Sequence, residues 1–181
     1  MKTVAIFCGA NTGLNPQFVE DTKVLVEELV KNNWRIVYGG GNIGLMGVVA
    51  DEVLRLGGEI IGVIPENLVV HEVAHRGVEE MHIVKNMLDR KGLIAQLSDA
   101  YIALPGGIGT LDEIYEFWVA QKLGERFKPF GILDTHQFYT PFKQLSEQMI
   151  AEGFLKASDY ERLNFVEEPL KLVSLLENAL Q

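Results

Sequence analysis

Ten residues, Leu104-Pro105-Gly106-Gly107-Ile108-Gly109-Thr110-Leu111-Asp112-Glu113, hold most of what this chain could use for chemistry. The glycines let the backbone come close to a ligand. The first N–H groups of a helix starting here would point at an anion, and phosphate is the usual guest. Glu113 sets a carboxylate beside that anion. Together they point to chemistry on a small phosphorylated molecule. No Gly-Lys-Ser/Thr ending is present, so the loop lacks the grip of an ATPase phosphate loop on a triphosphate with magnesium, and the amides with the Thr110 hydroxyl suit a monophosphate. The same residues also have a plain structural reading. Thr110-Leu111-Asp112-Glu113 is spaced as a capping box, with Thr110 as the cap and Glu113 reaching back to it.

A basic partner stands upstream. Met87, Arg90, Ile94 and Leu97 share one helical face, so Arg90 interrupts an apolar stripe. At the stripe's edge it would snorkel to water. Pointing inward it needs an anion, and its fork suits a phosphate or carboxylate. Lys91 faces another way and reads as solvated. His71, His75 and His82 lack the companions that a metal site needs and are expected at the surface or at a pocket rim, so no metal is expected. Cys8 ends a strand and reads as a small core residue.

The elements that must position these groups alternate strand and helix. Strands are expected at 3–8, 34–38, 59–64, 81–84, 100–104, 129–133 and 163–166. Helices follow most of them: one carrying Phe18, Thr22, Leu25 and Leu29 and closed by Asn32-Asn33, one stopping at Gly57-Gly58, and others over 86–97, after the glycine loop, over 138–152 and from Pro169. Residues 66–80 show no clear period and read as a loop with some helix. Several strands are apolar on both faces. That pattern predicts a Rossmann-like, doubly wound parallel sheet flanked by helices, in a single domain, with ligands beyond the carboxyl ends of the strands. A second glycine loop, Gly39-x-Gly41-x-x-Gly44, lies at such an end. It matches the dinucleotide fingerprint but follows the second strand, and Ile64-Pro65 closes the next strand where a ribose-binding acid belongs, so nicotinamide binding fits poorly. Gly40 and Gly41 read instead as one wall of a nucleotide pocket, and Met87, one turn before Arg90, as a further substrate contact.

Bulk properties narrow the partners. A net charge of -9 argues against a nucleic-acid surface, which needs a basic stripe. No apolar run reaches the ~18 residues of a membrane span. One cysteine permits no intrachain disulfide, and with no signal peptide in view a cytoplasmic location is expected.

Tyr38-Gly39-Gly40-Gly41-x-x-Gly44-Leu45-Met46-Gly47, Arg90-Lys91 and Pro105-Gly106-Gly107-x-Gly109-Thr110-x-x-Glu113 together resemble the LONELY GUY family, cytokinin riboside 5′-monophosphate phosphoribohydrolases once described as lysine decarboxylases. The resemblance runs from Phe7-Cys8-Gly9 to Glu152-Gly153-Phe154. It implies that Gly106, Gly107, Gly109 and Thr110 hold the 5′-phosphate and that Arg90 and Glu113 form the catalytic pair. It also implies that Lys91 and Glu72 border the nucleotide, and that the protein is a homodimer needing no cofactor. The chain departs from the family at Ala10-Asn11, at Met87-Leu88-Asp89 and at Lys122, which leaves base selectivity open. The expected reaction is hydrolysis of the N-glycosidic bond of a cytokinin riboside 5′-monophosphate or AMP. The rival reading is a nucleotide or molybdenum-cofactor carrier without catalysis. Lysine decarboxylation would need a lysine for a pyridoxal-phosphate Schiff base, and no lysine is marked for it.

Overall fold

In the computed structural model, which describes residues 1–69, 74–124 and 127–181, β1 (Lys2–Phe7) sends Val4 and Ile6 into one hydrophobic cluster and Ala5 and Phe7 into another. Both faces of this strand are therefore covered, as its unbroken apolar run requires. The remaining strands are β2 (Trp34–Tyr38), β3 (Ile60–Pro65), β4 (Glu80–Val84), β5 (Ala100–Ala103), β6 (Phe130–Leu133) and β7 (Leu163–Val166). All pair in parallel in the order β4-β3-β2-β1-β5-β6-β7. Ile6 lies opposite Tyr38 on one side and Ile102 on the other. The predicted Rossmann-like doubly wound sheet is the fold observed, with β4 added outside the usual six strands.

The helices are α1 (Gln17–Lys31), α2 (Gly44–Arg55), α3 (Met87–Leu97), α4 (Ile108–Lys122), α5 (Thr140–Ala151), α6 (Ala157–Tyr160) and α7 (Pro169–Ala179). Leu25 and Leu29 of α1, Val49 and Val53 of α2 and Leu172 and Leu176 of α7 fill one layer. Ile94 of α3, Ile114, Phe117 and Trp118 of α4 and Phe142 of α5 fill the other. Their terminators are local. Asn33 takes a positive φ after α1. After α2, Gly57 N–H reaches the Leu54 carbonyl and Gly58 N–H the Val53 carbonyl, a Schellman closure. Among the described residues no helix is long and apolar enough to cross a membrane.

Some expected boundaries move. Pro65 ends β3 inside the ladder, opposite Val84, rather than halting the strand before it. The helix expected from 138 begins at Thr140, after a 3-10 turn over Thr135–Gln137 where His136 and Gln137 have positive φ. The four-residue α6 is too short to show a period.

Three strand ends are stitched together at the carboxyl edge. Leu104 N–H donates to Phe7 O (2.8 Å), Gly9 N–H to Pro105 O (3.2 Å) and Leu45 N–H to Gly9 O (3.0 Å). Gly44 makes this approach possible. Its φ is +57°, and a Cβ there would lie 2.2 Å from the Ala10 carbonyl carbon. Gly44→Ala adds the left-handed penalty of about 1–2 kcal/mol to the displacement of the 9–11 backbone. We expect it to lower unfolding stability by more than about 2 kcal/mol in urea titrations. A midpoint equal to the parent's would contradict this contact.

Candidate functional site

A cavity of about 490 Å³ opens at the carboxyl ends of β1 and β5, where the strand order reverses. That is the position in which such sheets take their ligands, and the volume suits a small molecule. The loop after β1 and the loop after β5 form its floor; Leu45 and Met46 of α2, Met87 and Arg90 of α3 and Glu113 of α4 complete the walls.

The loop after β5 delivers a helix N-terminus to this space. Gly107 is the N-cap of α4, and no side chain caps it. The expected capping box is therefore absent. The helix starts before Thr110, which occupies its third position, because the turn at Gly107 sets the entry. Ile108, Gly109 and Thr110 precede the first intrahelical bond, Leu111 N–H to Gly107 O, so their own N–H groups have no carbonyl to meet within the helix. All three line the cavity. The glycines divide by role. At Gly106 a Cβ would strike the Thr110 hydroxyl oxygen at 2.1 Å, so glycine is required by packing. At Gly107 and Gly109 a Cβ would meet no atom within 4 Å, so packing does not demand glycine there. Their bareness keeps the loop open to a ligand. Behind the loop, the buried Tyr139 hydroxyl donates to Leu104 O at 2.6 Å. Burial holds this phenol well above its ordinary range, and Cys8, Asp134 and Glu113 push the same way, so it stays a donor.

Arg90 and Glu113 are brought to the same cavity, with only 5% and 8% of their surfaces exposed. Arg90 Nη2 donates to Gly39 O (3.1 Å), and Nη1 approaches Met87 sulfur (3.6 Å). Its Nε is buried and has no hydrogen-bond partner among the described residues. A buried charged donor with an open valence calls for an anion. Gly39 is the guanidinium's seat: a Cβ there would fall 1.9 Å from Nη2.

Other expected site residues are placed differently. Gly40 and Gly41 do not line the cavity; Gly40 O accepts from His75 N–H, and Gly41 bridges to Ala74. Lys91 is not solvated, as its position outside the stripe suggested. It is buried outside the cavity lining, with Nζ 2.7 Å from Asp112 and 2.5 Å from Glu116. Burial pulls its ammonium down, but the bonds to Asp112 and Glu116 raise it above the ordinary lysine value. His75 is no rim residue either. It is buried, its Nδ1 accepts from Gly77 N–H, and Nε2–H donates to Asp51 (3.1 Å). His82 pairs with Glu80. Glu72 and His71 lie outside the described residues. Among the described residues no group of three or more His, Cys, Asp or Glu could hold a metal ion.

The cavity also uses residues not singled out from the sequence: Asn11 and Thr12 after β1, Phe18 of α1, Leu68 and Phe138. Asn11 and Thr12 sit in a turn-rich loop at a strand's carboxyl end, which was a usable signal. Phe18 and Phe138, ring centroids 5.7 Å apart, come from segments far apart in the chain and gave none.

The family model described as "possible lysine decarboxylase" matches residues 46–176. A cytokinin riboside 5′-monophosphate phosphoribohydrolase of Rhodococcoides fascians is 38% identical, over 90% of this chain and 82% of its own length. The chain belongs to the LONELY GUY family. A LONELY GUY relative in Arabidopsis thaliana, cytokinin riboside 5′-monophosphate phosphoribohydrolase LOG1, is 36% identical over 98% of this chain and 83% of its own. A rice protein (Oryza sativa subsp. japonica) named probable cytokinin riboside 5′-monophosphate phosphoribohydrolase LOGL1 reaches 42%, over 85% and 69%. Among solved structures, the molybdenum cofactor binding protein of Rippkaea orientalis superposes with a TM-score of 0.74 at 19% identity, covering 99% of this chain and 98% of that one. At that identity the likeness concerns the LONELY GUY chain's fold alone.

Proposed function

We propose that this protein hydrolyses the N-glycosidic bond of a nucleoside 5′-monophosphate, releasing the free base and ribose 5-phosphate. One observation carries the reading: a buried guanidinium with an open Nε valence faces the same cavity as a buried carboxylate and a helix N-terminus. The phosphoribohydrolase names of the relatives support it. In this reading Gly106, Gly107, Gly109 and Thr110 take the 5′-phosphate, and the helix dipole adds about 0.3–1 kcal/mol. The C1′–N bond breaks with its electron pair going to the base, which takes up a proton. The sugar becomes cationic, Glu113 stabilises that charge or takes the proton of the attacking water, and the water oxygen bonds to C1′. Arg90 orients the substrate and assists departure of the base, with Met87 beside it. Glu72 belongs to the proposed nucleotide border by resemblance. The working unit in this reading is one domain acting in a homodimer in the cytoplasm, with no nucleic-acid or membrane partner.

The family model's description raises pyridoxal phosphate, which needs a Schiff-base lysine. Among the described residues the cavity lining contains no lysine, so these residues do not fit that cofactor. The test is chromatography after incubation with AMP and with isopentenyladenosine monophosphate. Free base from either supports the reading, and the ratio of rates assigns the substrate. Intact nucleotide recovered from both, with the protein folded, would favour a carrier.

A further inference from the structure

Two neighbouring residues on α3, Arg90 and Lys91, face two neighbouring residues on α4, Asp112 and Glu113, with different assignments. Arg90 and Glu113 turn to the cavity. Lys91 and Asp112 meet each other outside its lining, at 2.7 Å, and Glu116, one helical turn further on, closes the other side of the ammonium at 2.5 Å. The lysine side chain is 10% exposed, while the two carboxylates are 53% and 40% exposed. A lysine kept for solubility would extend to water at little cost. This one gives up hydration and side-chain freedom to sit between two acids on one face of a helix. Exposed ion pairs contribute little to stability. What this arrangement supplies is a fixed relation between two helices.

We propose that Lys91 is a positioning residue for the Arg90–Glu113 pair, clamping α3 to the first turns of α4 through Asp112 and Glu116 without touching the nucleotide. This rests on the phosphoribohydrolase reading above and deepens it. Because each clamp residue adjoins a cavity residue in the chain, a shift of one helix along the other moves Arg90 relative to Glu113 directly. Displacements near 1 Å at such a pair cost about 100-fold in rate. A lysine that instead contacted the substrate phosphate would act mainly on affinity. The two roles therefore separate in the kinetics.

The experiment compares Lys91→Met, Lys91→Arg, the double variant Asp112→Asn/Glu116→Gln, and the triple combination, using whichever of AMP and isopentenyladenosine monophosphate the parent hydrolyses. Melting temperatures establish that each is folded. We expect Lys91→Met to lower kcat about 10- to 100-fold, in the range that such displacements produce, with KM within about threefold of the parent. The acid double variant, which leaves Lys91 in place, should lose as much. The triple variant should lose no more than either, because all remove one interaction. Lys91→Arg, which can span both acids, should recover most of the rate. A Lys91→Met variant with unchanged kcat and a KM raised tenfold or more would overturn the clamp and make Lys91 a substrate contact. Full kcat in the acid double variant, or additive losses in the triple, would also overturn it. If Lys91→Met does not fold, the acid double variant decides alone. A folded parent that releases base from neither nucleotide overturns the underlying function, and the clamp falls with it.

Discussion

Glu113→Gln is expected to leave the protein folded and able to bind nucleotide, and to lower turnover by about 10²–10⁴-fold, the range for loss of a catalytic acid or base. The fold should tolerate the change because α4 begins at Ile108, which puts Glu113 at the sixth helical position rather than the third, where the acid of a capping box stands. Glutamine has nearly the same shape and helix propensity. What disappears is a negative charge in a mostly buried position. A cationic sugar gains most from that charge in the transition state, so the loss should appear in kcat rather than in KM. Binding is checked by calorimetry with AMP, turnover by base release. Turnover within threefold of the parent would remove Glu113 from the mechanism.

Arg90→Met is expected to weaken nucleotide binding about 10- to 100-fold for each hydrogen bond lost, because bonds to a charged group contribute about 1.5–3 kcal/mol each. Methionine replaces the apolar stem but not the fork. The change also strips the Gly39 carbonyl of its 3.1 Å partner, so a measurable loss of stability should accompany it. Lysine should not restore the site. Its point charge cannot satisfy the Gly39 carbonyl and a ligand anion with two fixed, coplanar donors. Calorimetric titration of Arg90→Met and Arg90→Lys with AMP decides the matter. Parent-like affinity in Arg90→Met would place the anion elsewhere in the cavity.

How far the chain could be read from its residues depended on the range of the interactions. The parallel sheet was legible because short strands such as Val4-Ala5-Ile6-Phe7, apolar at consecutive positions, alternate with helical patterns, as a sheet covered on both faces requires. Arg90 was legible as a charge interrupting a local apolar stripe, with a snorkelling and an inward reading both open; its burial in the cavity wall decides for the inward one. Gly39 was not legible as its seat, because the contact spans 51 positions of sequence. The Gly39–Gly44 loop therefore read as a nucleotide wall, whereas Gly40 and Gly41 hold backbone against the segment around Ala74 and His75. The capping box failed for a different reason. Its four residues fit the pattern, but the backbone turn at Gly107 had already started the helix. Lys91 looked solvated because its partners stand on another helix, more than twenty positions away. His75 likewise finds Asp51 only once α2 and the chain beyond β3 are folded together.

The most direct test of the central claim is incubation with a nucleoside 5′-monophosphate in ¹⁸O-labelled water, followed by mass analysis of the products. Hydrolysis at the glycosidic carbon predicts free base and ribose 5-phosphate in equal amounts, with one labelled oxygen on the sugar and none on the base. Intact nucleotide, or release of labelled inorganic phosphate with the base still attached to ribose, would contradict it.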